Sequence, residues 1–206
     1  MLRHFASSHR VRFWSAVAFL ILWSSVAAWF KAFTSMAPYD DEGTIILLLR
    51  NFMSGGILYD RVREVYGPLH YAYQCIPRAL FGIPLNHETV RMFSVICRIL
   101  ASLMVFLVVY RATRSLSLAM IAHAAGFQAL VFMSMETAHP QELCTVLLLG
   151  VFLAAGAERP TAIVWFGVLT ATIFFTKINL GILLAAGIAI VIVYSLPCIS
   201  IRVPLT

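Results

Sequence analysis

Apolar positions in this chain fall in long stretches with few interruptions, and most polar residues gather between them. Six such stretches stand out: Phe13 to Phe30, Met92 to Val109, Leu116 to Met135, Leu143 to Ala157, Ala162 to Phe175 and Ile178 to Leu196. A helix needs about 17 to 25 predominantly apolar residues to cross hydrocarbon, so the pattern predicts an all-α polytopic membrane protein with six spans, the fourth and fifth short. The first two spans are separated by a loop of some sixty residues, 31–91, whereas every later connection is brief. That loop is rich in Ile, Leu, Phe and Tyr, a composition that argues for folded structure. Between Thr44 and Ser54 the residues Ile45, Ile46, Leu48, Leu49, Phe52 and Met53 fall on one broad helical face, which predicts an amphipathic interfacial helix closed by Gly55-Gly56. A second interfacial helix is expected to begin at Gly67-Pro68 and to end at Gly82, with Pro77 kinking or dividing it. Leu58 to Tyr66, charged and aromatic, reads as irregular loop.

Composition supports the same class: 61% of the 206 residues are hydrophobic and 12% charged. The net charge of +6 is read as topological, with no nucleic-acid partner implied. With the N-terminus in the cytoplasm, Arg3, Arg10, Arg12, Arg111, Arg114, Arg159 and Arg202 lie inside, and the short outer connections carry only Lys177. The first span reads as an uncleaved anchor rather than a signal peptide. No internal repeat occurs, and residues 1–206 read as one membrane domain with 31–91 as its first extracytoplasmic loop. Cys75, Cys97, Cys144 and Cys198 are too widely spaced for a C-x-x-C site, so neither a metal centre nor a disulfide framework is read from them.

Candidate chemistry gathers on the outer face. Asp40, Asp41 and Glu42 are adjacent in a chain with nine acidic residues, and carboxylates so crowded repel unless a cation, a metal or a substrate charge offsets them. No cofactor is assigned, and a divalent cation stays open as that offset. Arg91 and Arg98 are seven residues apart and share one face of the second span. An arginine within an apolar run calls for a partner to meet an insertion penalty of about 2.5–3.5 kcal/mol. Glu136, His139 and Glu142 lie in the second outer connection, and Lys177 and Asn179 in the third. Carboxylates beside cations at a membrane face suit transfer from a lipid-linked phosphate, where a base deprotonates the acceptor and cations steady the departing phosphate.

The order Asp41-Glu42-Gly43, amphipathic helix, Gly55-Gly56 with Tyr59-Asp60, Tyr66-Gly67-Pro68-Leu69 with Tyr71, Leu80-Phe81-Gly82 and Arg91 resembles the start of bacterial GT-C membrane glycosyltransferases. These are relatives of the protein O-mannosyltransferases and the aminoarabinose transferases of lipid A. His139-Pro140, and Lys177 with Asn179 and Gly181, are similar to that family's later outer connections. The resemblance implies a multi-pass protein of the bacterial inner membrane. It would take a sugar from a polyprenyl-phosphate donor to a lipid, glycan or protein acceptor at the extracytoplasmic face. It places the catalytic aspartate at Asp41, with Glu42 adjoining and Asp40 preceding, and implies donor-phosphate contacts from Arg91, Arg98, Lys177 or His139. Family members carry more membrane helices than this chain, so the resemblance also implies a truncated N-terminal portion. The alternatives are a transport or scaffold protein whose acids line a vestibule, and an inactive truncated transferase.

Overall fold

The computed structural model describes residues 2–34, 42–60, 66–133, 137–157 and 160–195. Those residues form eight helices and no strand. They are α1 (Leu2–Thr34), α2 (Glu42–Met53), α3 (Pro68–Phe81), α4 (His87–Thr113), α5 (Leu116–Met133), α6 (Pro140–Ala155), α7 (Pro160–Thr176) and α8 (Ile178–Ser195). Within α1, Arg10–Thr34 is long and apolar enough to cross a membrane, as is all of α4; α5 to α8 are apolar but shorter over their best stretches. Large apolar side chains cover the outside of the bundle. Ile163 is 77% exposed and Leu183 69%, and such surface demands lipid or further protein rather than water.

Each predicted span corresponds to one helix, and the boundaries differ where capping decides them. α4 begins at His87, five residues before the apolar run at Met92, because the Asn86 side chain accepts the Thr89 N–H at 2.9 Å and Thr89 returns the bond in a capping box. α6 likewise begins at Pro140, ahead of Leu143, since proline suits a first helical turn. α2 takes Glu42 into its first turn and ends before Gly55, whose φ of 92° suits a residue without Cβ. α3 runs from Pro68 to a left-handed Gly82 as the sequence indicates. Pro77 lies inside it without dividing it. Only one backbone hydrogen bond is forfeited there, and the flanking turns hold the helix together.

α4 is the axis of the bundle, packed on α1, α5 and α6, while α6, α7 and α8 follow as antiparallel neighbours. At one end Phe13, Leu20, Phe106 and Ala119 form an apolar cluster. At the other, α2 and α3 lie over the start of α4 through Ile45, Ile46, Leu49, Tyr71, Cys75, Val90 and Ala138. This second end also collects the C-terminal ends of α1, α5 and α7 and the N-terminal ends of α4, α6 and α8, and it holds the polar residues considered next.

Candidate functional site

Glu42 is the centre of the polar end. It is 2% exposed and surrounded by donors. Arg91 Nε donates to both carboxylate oxygens at 3.1 and 3.0 Å, and Arg91 Nη2 donates to Oε2 at 2.9 Å. Thr137 Oγ1 donates to Oε2 at 2.7 Å, and His87 Nδ1 lies 2.8 Å from Oε1. Arg91 Nη1 donates to the Ala32 carbonyl at 2.8 Å, so one guanidinium ties the end of α1, the start of α2 and α4 together. Burial alone would raise the Glu42 pKa, but the hydrogen bonds from Arg91, Thr137 and His87 and the Arg91 charge outweigh it and hold the carboxyl below its ordinary range. A carboxylate so held is a fixed anion.

Two turns along the same face of α4, Arg98 has an acidic partner. Its Nε and Nη2 each lie 2.9 Å from Glu142 Oε1, and both residues are buried. Between the arginines, Ser94 Oγ accepts the Ala138 N–H at 3.0 Å. That bond holds a loop in which Ala138 adopts a left-handed φ of 68°, a conformation a non-glycine residue keeps only when its surroundings enforce it.

The loop presents His139, whose Nε2 lies 2.7 Å from the Tyr66 hydroxyl. Beside Tyr66, the Gly67 N–H donates to the Thr176 carbonyl at 3.0 Å, and a Cβ at Gly67 would overlap the Phe175 carbonyl. Glycine is therefore required for α3 to dock on the end of α7. Gly181 serves a similar purpose one turn into α8, where a Cβ would overlap Phe174. His70, fully buried among Tyr66, Tyr71 and Tyr73, is lowered to about 3 by burial and by nearby His139, and is neutral.

Lys177 occupies the turn between α7 and α8, above an open groove of about 550 Å³ that Cys144, Leu148, Leu180, Leu183 and Leu184 line, with Gln141 and Thr145 as its polar members. No ion pair to Lys177 occurs among the described residues. An apolar trough with an ammonium at its polar end matches an amphiphile with an anionic head.

Of the residues singled out from sequence, Glu42, Arg91, Arg98, His139 and Lys177 are thus brought to one end of the bundle. Glu42 and Arg91 pair with each other, Arg98 with Glu142. Asp40, Asp41 and Glu136 lie outside the described residues, as does 61–65 of the charged loop that ends at Tyr66. Among the described residues no group of three or more His, Cys, Asp and Glu side chains could hold a metal ion. Ser94, His87 and Arg78 were not legible as participants. Ser94 had a signal, since it lies three residues from Arg91 and four from Arg98 on the stripe they share. Compared with protein-family models, curated proteins and solved structures, the chain matches none.

Proposed function

We propose that this chain is a membrane glycosyltransferase corresponding to the N-terminal part of the GT-C fold, moving a sugar from a polyprenyl-phosphate donor to a lipid, glycan or protein acceptor. In this reading α1 and α4 to α8 cross a bacterial plasma membrane six times, the N-terminus is cytoplasmic, and α2 and α3 lie in the outer interface. The observation that carries the reading is convergence. Glu42, Tyr66-Gly67, Arg91, His139 and Lys177 come from five separated segments and resemble the family's motifs in order and spacing; Arg91 bonds to Glu42, Tyr66 to His139, and Gly67 to Thr176, the residue before Lys177.

The roles divide by what each side chain already holds. Asp41 is the general base that takes the proton of the acceptor hydroxyl. The acceptor oxygen then forms a bond to the anomeric carbon, the bond from that carbon to the phosphate oxygen breaks, and polyprenyl phosphate departs with inversion. Glu42, fixed by Arg91, Thr137 and His87, is a positioning residue that anchors the chain immediately after Asp41. The charges of Arg91 and Arg98 are already matched by Glu42 and Glu142, which leaves Lys177, over the apolar groove, as the cation for the donor phosphate. His139 holds Tyr66 and so the approach of α3.

The reaction is tested with membranes containing the protein and a polyprenyl-phosphate donor radiolabelled in its sugar. Label is expected to pass into a lipid, glycan or protein fraction only when the protein is present. Donor that stays intact across all acceptor classes would contradict the assignment.

A further inference from the structure

Among the described residues three arginines are buried, and two of them use the same edge. Arg91 turns Nε and Nη2 onto Glu42 at 3.0 and 2.9 Å, and Arg98 turns Nε and Nη2 onto Glu142 at 2.9 Å. This edge is the planar fork that matches two oxygens of a carboxylate or a phosphate. Arg78 on α3 is the third, 2% exposed. Its Nη1 donates to the Gln74 carbonyl and, at 3.0 Å, to Gln74 Oε1. Its guanidinium carbon lies 4.8 Å from the centre of the Phe93 ring. Its Nε and Nη2, the same fork, have no hydrogen-bond partner among the described residues.

Guanidinium stays protonated in proteins, so Arg78 cannot escape burial by losing its charge as a lysine could. The Phe93 ring attracts the face of the cation but accepts nothing from the two N–H groups that point out in the guanidinium plane. A buried charge with its donors unpaired is among the most unfavourable arrangements in a fold. The surroundings of Arg78 also point to what would complete it. Ile76, Leu80 and Phe81, on the same helix, are 53%, 71% and 77% exposed. α3 is too short to span hydrocarbon and is amphipathic, which sets it at the level where phosphate headgroups meet acyl chains.

We propose that the Nε–Nη2 edge of Arg78 binds a phosphate oxyanion supplied from outside the chain, with Gln74 of the same helix holding the guanidinium in place. Because the edge is screened from bulk water, occupation requires α3 to shift against Phe93 of α4. The site is separate from the transfer reaction proposed above, and it stands or falls on phosphate binding alone.

The test titrates the Lys177→Gln protein, in which the groove between α6, α7 and α8 has lost its cation, as the parent for the Arg78 variants, in phosphate-free maltoside micelles, with farnesyl phosphate, inorganic phosphate and farnesol. Farnesyl phosphate is expected to bind and farnesol to bind far more weakly. Arg78→Gln should weaken farnesyl phosphate by at least about tenfold, the loss of one to two charge-assisted hydrogen bonds, and Arg78→Lys should fall between. Inorganic phosphate binding as tightly as farnesyl phosphate, and equally sensitive to Arg78→Gln, would identify free phosphate as the source; weaker binding identifies a lipid. Parent affinity in a folded Arg78→Gln protein would overturn the proposal. Should the variants not fold, the Nε–H resonance of Arg78 in the ¹⁵N-labelled parent decides. A shift on adding farnesyl phosphate supports the site, and an unmoved resonance refutes it.

Discussion

The buried stripe of α4 changes character halfway along. Its first half carries Arg91, Ser94 and Arg98, its second half Ala101, Ser102 and Phe106. In the first half each side chain reaches a distinct atom on another segment: Glu42 of α2, the Ala138 N–H, Glu142 of α6. In the second half Phe106 sits among Phe13, Leu20, Ala119 and Tyr110, with ring centres 5.7 Å from Phe13 and 6.0 Å from Tyr110, and nothing but volume and shape fixes the contact. A buried ion pair is a weak stabiliser compared with an apolar pair of the same volume, while breaking it is costly. Two such pairs side by side on one helix therefore make the polar end specific and fragile. The apolar end is tolerant by comparison, and the residues resembling a family motif meet at the fragile one.

The contrast breaks most sharply at Glu42. Glu42→Ala leaves Arg91 buried without its anion and should destabilise the protein by about 3–5 kcal/mol, measured by denaturant unfolding in micelles. Pairing it with Arg91→Met should restore most of that loss. The same pair gives an acid signature. The folded carboxyl titrates below its ordinary 4.5, so its stabilising contribution is complete above about pH 4.5 and is lost as pH falls through the lower folded value. Glu42→Ala should remove that part of the acid dependence, and an unchanged profile would mean the pair carries no linkage.

A smaller effect is expected at the docking of α3. Gly67→Ala places a Cβ against the Phe175 carbonyl. The displacement should cost about 1–3 kcal/mol and lengthen the bond between Tyr66 and His139, read from melting temperature and from the tyrosine hydroxyl signal. At the apolar end, Phe106→Leu should cost less than about 1.5 kcal/mol, because neighbouring side chains can refill the space. A loss there equal to that of Glu42→Ala would abolish the distinction between the two halves.

Helices were legible because apolar runs and their breakers are local. Gly55 and Gly82 mark ends at positive φ, Gly67 leaves room for the Phe175 carbonyl ahead of Pro68, and the structure turns where they stand. Helix starts were less legible, since the capping box of Asn86 extends α4 beyond its apolar run. The need of Arg98 for an acid followed from the cost of charge in hydrocarbon, but Glu142 as that acid did not, because the pair is set by how α4 and α6 pack. Glu42 and Arg91, 49 residues apart, were both named for the site and yet not as partners. Their union anchors the carboxylate that adjoins Asp41 in the sequence. Arg78 was passed over although His70, Gln74 and Arg78 recur every four residues on one face. An arginine on a short amphipathic helix ordinarily extends its head to water, and the burial of this one against Gln74 and Phe93 is set by how α3 packs on α4.

In the proposed reaction Asp41 is the base, beside a Glu42 anchored by Arg91. Single-turnover sugar transfer from polyprenyl-phosphate donor, compared between the parent protein and Asp41→Asn in membranes, tests it most directly. A general base contributes about 10²- to 10⁴-fold, so Asp41→Asn should transfer at least 10²-fold more slowly with donor binding retained. Transfer at the parent rate would contradict the account, and a dead Asp40→Asn beside a fully active Asp41→Asn would move the base to Asp40.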